Sequence, residues 1–202
     1  MKEKKISRPG WVIWFVGLPG AGKSTYAQAV YKALENKGEA VRYLSMDEQR
    51  NTYVTGPKYT RQERKQAYRL FAEEAAEIAG QGTNVIMDGT APELSMREYA
   101  RELIERFAEV YVRCSLETAM SRESNRPQGL VMAALYEKAI KRKQSGKSVS
   151  GLGEVIGVDA PFEENSDAEC VIDSEKMTIE QGRDSVLAFI SARFAQEKPR
   201  KN

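Results

Sequence analysis

Lys23 and Ser24 are the residues whose placement speaks first of chemistry. They close the run Gly17-Leu18-Pro19-Gly20-Ala21-Gly22-Lys23-Ser24-Thr25, which satisfies the spacing G-x-x-x-x-G-K-[ST]. In such a run the glycines let backbone N–H groups turn inward around a polyphosphate. The lysine reaches the β- and γ-phosphates, and the Ser24 hydroxyl is placed to ligate Mg²⁺. The flanks must supply a strand and a helix, and both do. Trp11-Val12-Ile13-Trp14-Phe15-Val16 is an unbroken apolar run, β-branched and aromatic, suited to a strand buried on both faces. From Lys23 to Lys37, Ala27, Val30, Tyr31 and Leu34 recur at helical spacing, and Asn36-Lys37-Gly38 is a stop signal. A glycine-rich turn can join strand to helix with no ligand. The Lys-Ser pair and the two flanks favour the cradle, because they aim a helix dipole at the anion.

Further candidates lie past other strand ends. Ala40-Val41-Arg42-Tyr43-Leu44 reads as a short strand, so Asp47 and Arg50 fall where open α/β sheets meet their ligands. Asp47 would orient or deprotonate an acceptor hydroxyl; the competing reading is an aspartate that caps a short helix. Asn84-Val85-Ile86-Met87 reads as a strand ending in Asp88-Gly89-Thr90, where a carboxylate either holds Mg²⁺ through water or orients a nucleophile. Arg61, Arg64, Lys65 and Arg69 crowd the first half of a helix, as an anionic acceptor site or as a solvated face. Arg122, Arg126, Lys138, Lys141, Arg142, Lys143 and Lys147 surround an apolar helix segment at 130–140, followed by a flexible stretch at 145–151. That pattern suits a lid closing over phosphates, or an ordinary exposed helix and loop.

The positioning elements follow from caps and periodicity. Residues 51–59 read as a loop, and Thr60-Arg61-Gln62-Glu63 has capping-box spacing for a helix to about Ala79. Pro92 opens a helix to about Arg106, Val110-Tyr111-Val112 is a strand, and Ser115 caps the helix that carries Arg122. Cys170-Val171-Ile172-Asp173 is the last strand, and Thr178-Ile179-Glu180-Gln181 starts a final helix to about Phe194. Strands alternating with helices predict an α/β fold with a five-stranded parallel sheet. The expected organisation is a single domain over 1–202, with a core at 11–121 and 154–195 and a lid-like excursion at 122–153.

Composition narrows the functional classes. Lys and Arg number 31 against 29 Asp and Glu in 202 residues, which gives no global electrostatic case for nucleic acid or a membrane surface. No apolar run approaches membrane-spanning length and the N-terminus lacks a signal-peptide core, so a cytoplasmic protein is expected. Cys114 and Cys170 are expected as buried free thiols. Histidine is absent, which removes histidine general bases and Ser-His-Asp triads.

With these positions fixed, the chain resembles adenylylsulfate (APS) kinases, among the P-loop small-molecule kinases, from about Trp11 to Ile190. Gly17 to Thr25 and Gly157-Val158-Asp159-Ala160-Pro161-Phe162-Glu163 carry the likeness; the latter is similar to the family's G-I-D-D-P-Y-E, near the nucleotide base. The resemblance implies a three-layer P-loop NTPase fold with sheet order 2-3-1-4-5, ATP and Mg²⁺ as cofactors, and a nucleotide 3′-hydroxyl as acceptor. It assigns Asp159, Pro161 and Phe162 to the nucleotide, and Asp47, Arg50, Arg64 and Arg69 to the acceptor; a likeness to polynucleotide-kinase-like enzymes adds Arg122 and Arg126 at the nucleotide and Thr90 at the acceptor. Because APS kinases are often dimers, it also implies a homodimer. Departures fall on the acceptor side: Ser45-Met46-Asp47-Glu48 stands for D-G-D-N, Ala67 for an asparagine, Gly89-Thr90-Ala91-Pro92 for F-I-S-P, and Gln128 for a lysine. Asp88-Gly89-Thr90-Ala91 and the pair Arg122 and Arg126 also resemble polynucleotide-kinase-like and seryl-tRNA-kinase-like enzymes. The expected activity is transfer of the ATP γ-phosphoryl to a hydroxyl of a small anionic, nucleotide-linked metabolite. A polynucleotide or tRNA kinase and a non-catalytic nucleotide switch are the alternatives.

Overall fold

The computed structural model describes residues 8–125, 134–147, 149 and 152–194. Strand β1 (Val12–Val16) is buried along its whole length and forms the centre of the molecule. Its side chains alternate between two cores, as the period of a strand dictates. Val12, Trp14 and Val16 enter one apolar cluster, with Tyr68, Phe71, Ala72 and Met96. Ile13 and Phe15 enter the other, with Tyr26, Ala27, Val30, Val186 and Ile190. The unbroken apolar run thus reflects a strand covered on both faces, and helices α1 (Lys23–Glu35) and α7 (Ile179–Phe194) cover one of them.

The sheet is parallel throughout, in the order β2 (Val41–Ser45), β3 (Asn84–Asp88), β1, β4 (Phe107–Arg113), β5 (Cys170–Asp173). This is the expected five-stranded sheet in the order 2-3-1-4-5. The opposite face is covered by α3 (Arg61–Gly80) and α4 (Leu94–Leu103), with α2 (Met46–Tyr53) beside α3. Helices α5 (Leu116–Ser124) and α6 (Leu135–Ser145) stand apart, around a small cluster of Ala119, Leu135, Tyr136, Ala139 and Val155.

Three caps act where their spacing put them. The Thr60 hydroxyl accepts from Glu63 N at 3.2 Å and the Ser115 hydroxyl from Thr118 N at 3.1 Å. At the start of α7 the box is reciprocal: Gln181 N donates to the Thr178 hydroxyl at 3.2 Å, and Thr178 N to the Gln181 side chain at 2.9 Å. Within α7, Gly182 lets the Tyr26 ring lie against the helix, since a Cβ there would meet the ring at 2.4 Å.

Three boundaries differ from expectation, each for a tertiary reason. Helix α2 runs through Tyr53 into the expected loop, because Tyr53 packs on Phe71 at 6.4 Å and its hydroxyl bonds Glu74. Helix α4 starts at Leu94 instead of Pro92, because Glu163 N takes the Pro92 carbonyl at 2.8 Å while the Glu163 carboxylate caps Leu94 N at 2.6 Å. Strand β4 begins at Phe107, ahead of Val110, and carries a charge invisible to hydrophobic patterning: Glu109 is fully buried and pairs with buried Arg97 at 3.0 Å. Asn165 adds a 2.8 Å hydrogen bond to the same carboxylate.

Removing one partner of such a pair leaves an uncompensated buried charge. Glu109→Ala is therefore expected to lower the unfolding free energy by about 3–5 kcal/mol, read by urea denaturation, with Arg97→Met plus Glu109→Leu recovering most of it. A single variant as stable as the parent would contradict the burial of the pair.

Candidate active site

The loop between β1 and α1 is held from outside by its carbonyls. The Pro19 carbonyl accepts from the Tyr136 hydroxyl at 2.8 Å, the Leu18 carbonyl from Ala21 N at 3.0 Å, and the Ala21 carbonyl from Arg122 at 3.4 Å. Gly20 has φ 86° and approaches α5 so closely that a Cβ would meet the Ala119 carbonyl oxygen at 2.3 Å. Lys23 is buried, with its ammonium donating to the Leu18 carbonyl at 3.0 Å, whereas Ser24 and Thr25 are exposed at the start of α1.

One cleft gathers most of the expected residues. Pro19, Lys23 and Ser24 line it together with Asp47, Asp88, Gly89 and Thr90 and with Arg50, Tyr59, Arg64 and Tyr68. Strand pairing makes this convergence: Asp88 sits beside Phe15 on β1 and Ser45 on β2, so the ends of β1, β2 and β3 are level. Asp88 is buried and accepts from the Tyr43 hydroxyl at 2.8 Å. Burial, and after it the Asp88 charge, push the Tyr43 phenol far up, so it remains a hydrogen-bond donor at neutral pH. Asp47 is exposed in the first turn of α2. Ser24 and Asp88 present hard oxygen donors in the same cleft as the Lys23 ammonium. Among the described residues no group of acidic, histidine and cysteine side chains is dense enough to hold a metal alone. That donor set fits Mg²⁺, which takes one or two protein oxygens and leaves the rest to phosphates and water.

Around Arg50 the cleft is strained and cationic. Arg50 is 7% exposed, and its Nε and Nη1 have no hydrogen-bond partner. Its guanidinium lies 5.0 Å from the Tyr59 ring centre and 6.0 Å from that of Tyr68. Tyr59 adopts φ 55°, left-handed backbone that costs a non-glycine residue about 1–2 kcal/mol. The Glu63 carboxylate holds that turn by accepting from Lys58 N at 2.7 Å and Tyr59 N at 3.0 Å.

Other expected residues are placed elsewhere. Arg69 pairs with Glu73 at 2.9 Å and lies against Tyr99, lining a separate surface hollow with Lys65 and Gln66, because its position on α3 turns it from the cleft. Ala67 is buried in the apolar core. Arg122 is drawn off the cleft by the Ser174 hydroxyl at 2.8 Å and carbonyl at 2.7 Å. It lines a second crevice behind the loop, with Gly22, Thr25, Tyr26 and residues 177–180. Asp159, Pro161 and Phe162 line neither of these hollows. Asp159 accepts from Val155 N at 2.7 Å and pairs with Arg142, Pro161 lines a crevice with Arg61, Arg64 and Pro92, and Phe162 stacks on Tyr111 at 5.5 Å. Arg126 and Gln128 fall outside the described residues.

Comparison with known proteins agrees with this geometry. The adenylylsulphate kinase family model matches residues 9–173. The chain belongs to that family. A probable adenylyl-sulfate kinase of Archaeoglobus fulgidus is 36% identical over 166 residues, covering 82% of this chain and 97% of the relative. One of Aeropyrum pernix is 31% identical over 196 residues, covering 95% and 98%. In fold the chain is similar to the Mycobacterium tuberculosis APS kinase CysC, solved with AMPPNP and APS, with TM-score 0.74, 23% identity and coverage of 91% and 98%. As an APS kinase family member the protein is an ATP-dependent phosphotransferase acting on an alcohol group. The polynucleotide-kinase, seryl-tRNA-kinase and switch alternatives gain no support from these relatives.

Sequence reasoning passed over Tyr59, Glu123 and Glu154 in this kinase's cleft and Tyr43, which holds Asp88. Tyr43 reads as a strand residue, Tyr59 as loop, and Glu123 as part of an exposed helix; Glu154 lies past the basic excursion. Glu123 is 1% exposed, caps Leu135 N with one oxygen at 2.8 Å and leaves the other without a partner. Only its polarity within the apolar spacing of α5 could have singled it out. The thiols of Cys114 and Cys170 are unpaired, and burial pushes both up, so they stay protonated and inert.

Lys23→Ala is expected to abolish ATP turnover with an unchanged melting temperature, because the ammonium faces the loop and the cleft. A folded variant that still turns over ATP would remove the phosphate-cradle assignment.

Proposed function

We propose that this kinase transfers the γ-phosphoryl group of ATP to a hydroxyl of a small anionic, nucleotide-linked acceptor. The 3′-hydroxyl of APS, the compound for which its relatives are named, is the reference acceptor. The observation that carries this reading is the Arg50 guanidinium, buried in the cleft that Lys23 also lines, with Nε and Nη1 left without a hydrogen-bond partner. A buried cation without a counter-group is costly, and an oxyanion meeting its free edge with paired hydrogen bonds relieves that cost.

Phosphoryl transfer asks for positioning and charge neutralisation more than covalent chemistry. Mg²⁺-bound ATP would supply the phosphoryl group and bridging positive charge, with Ser24 and Asp88 holding the ion. Lys23 neutralises the transferring group, and Asp47 orients the acceptor hydroxyl and receives its proton. Tyr43 fixes the Asp88 carboxylate. The crevice of Tyr26, Arg122 and residues 177–180 adjoins the phosphate loop, which supports it as the place of the ATP base. Helix α6, tied to Pro19 by Tyr136, serves as a lid over the cleft. No helix among the described residues is long and apolar enough to cross a membrane, and two free thiols suit the reducing cytoplasm.

The two carboxylates are separable. Asp47→Asn should lower kcat by roughly 10²–10⁴-fold at saturating ATP, the usual loss of a general base, whereas Asp88→Asn should raise the Mg²⁺ concentration needed for half-maximal rate. Loss of kcat in Asp88→Asn with no change in Mg²⁺ dependence would exchange these roles. Arg50→Gln should raise KM for APS and leave KM for ATP alone, measured by coupled ADP release; equal APS kinetics in that variant would sink the acceptor assignment.

A further inference from the structure

The turn after β3 leaves the sheet at Gly89, whose N–H donates to the Phe15 carbonyl at 3.2 Å. The Pro92 carbonyl is next held, by Glu163 N at 2.8 Å, from a segment outside the sheet. Between these ties Ala91 is buried with φ 41°, left-handed backbone that an L residue keeps where its surroundings over-determine it. Tyr68 of α3 supplies such surroundings. It is 3% exposed, and its ring centre lies 5.7 Å from that of Trp14 and 6.4 Å from that of Phe71, so packing aims its hydroxyl. A Cβ on Gly89 would meet the Tyr68 ring at 3.1 Å and its hydroxyl at 3.5 Å; the bare glycine makes room for both. Burial pushes the phenol up, while Arg50 and a hydrogen bond with the Ala91 backbone act the other way.

We propose that Tyr68 is a positioning residue for the acceptor: by holding the strained turn 89–91 it sets Thr90, which lines the cleft with Asp47 and Lys23. This rests on the reading of the cleft as an acceptor site that includes Thr90. Asp88 is placed independently, by its pairing with Ser45 and Phe15 and by the Tyr43 hydroxyl. Removing the Tyr68 hydroxyl therefore frees the turn beyond the sheet and leaves the strand end where it is. The consequence falls on acceptor binding, and the groups that serve Mg-ATP are spared.

The test uses the full-length kinase with Mg-ATP and APS as the probe acceptor, followed by coupled ADP release. Tyr68→Phe keeps the ring and its packing, and should raise KM for APS by roughly tenfold, the scale of one lost hydrogen bond. Its kcat, KM for ATP and Mg²⁺ requirement should stay unchanged. Gly89→Ala disturbs the same contact from the turn and should act alike, so it decides the matter if Tyr68→Phe does not fold. Thr90→Val should raise KM for APS by itself, and adding Tyr68→Phe to it should change nothing further, because one residue acts through the other. A lowered melting temperature with KM for APS unchanged makes Tyr68 an ordinary core residue and overturns the inference. Effects of Tyr68→Phe and Thr90→Val that multiply, or a loss confined to kcat, overturn it too. If Thr90→Val leaves APS kinetics untouched, Thr90 drops out of the acceptor site and the inference falls with that reading.

Discussion

A phosphate-binding loop must show its N–H groups to the ligand, so its carbonyls have to be satisfied from behind. Here the carbonyls of Leu18, Pro19 and Ala21 each accept a hydrogen bond, from α1, α6 and α5 respectively or from within the loop. The loop is thereby locked by the elements that border the cleft. Its shape and the placement of α6 are one problem: Tyr136 anchors α6 to the loop, Glu123 anchors the start of α6 to α5, and Arg122 anchors α5 to both the loop and Ser174. A buried backbone polar group left unpaired costs as much as a lost hydrogen bond, which ties the conformation of the cradle to side chains far away in sequence.

The acceptor end is built by a second set of long-range ties. Arg97, paired with Glu109, also bonds the Glu163 carbonyl, and Glu163 reaches back to Leu94 N and the Pro92 carbonyl. These contacts fix the segment 160–163 against α4, and Arg64 fixes residue 154 against α3. Tyr59, which lines the cleft, and Ala91, which follows its Thr90, hold left-handed backbone with φ 55° and 41°. Strain of this kind persists where surrounding bonds over-determine the conformation, and such places cluster at ligand sites.

Belonging to a kinase family and selecting an acceptor thus reside in different parts of the molecule. The nucleotide half is carried by one contiguous segment and the sheet that presents it. The rest of the cleft is assembled from α2, the turn before α3, the end of β3 and the segment after α6. A change there can leave the donor half untouched, since a shared fold does not fix a substrate.

By itself the sequence determined the parallel sheet, the phosphate cradle, the caps at Thr60, Ser115 and Thr178, and the carboxylates at two strand ends. Each of these is local: apolar runs report burial, glycine and Lys-Ser spacing report the loop, and hydroxyl-to-acid spacing reports a cap. Tertiary structure alone decided that Glu109 is buried against Arg97, that Arg122 turns to Ser174, that Asp159 pairs with Arg142 and Phe162 stacks on Tyr111, and that Arg64 is taken by Glu154 while Arg50 is not. The reason is physical. A charged side chain has the same helical or strand spacing whether it faces solvent, a ligand or a buried partner, and its partner is set by which distant segment the fold brings within hydrogen-bond reach.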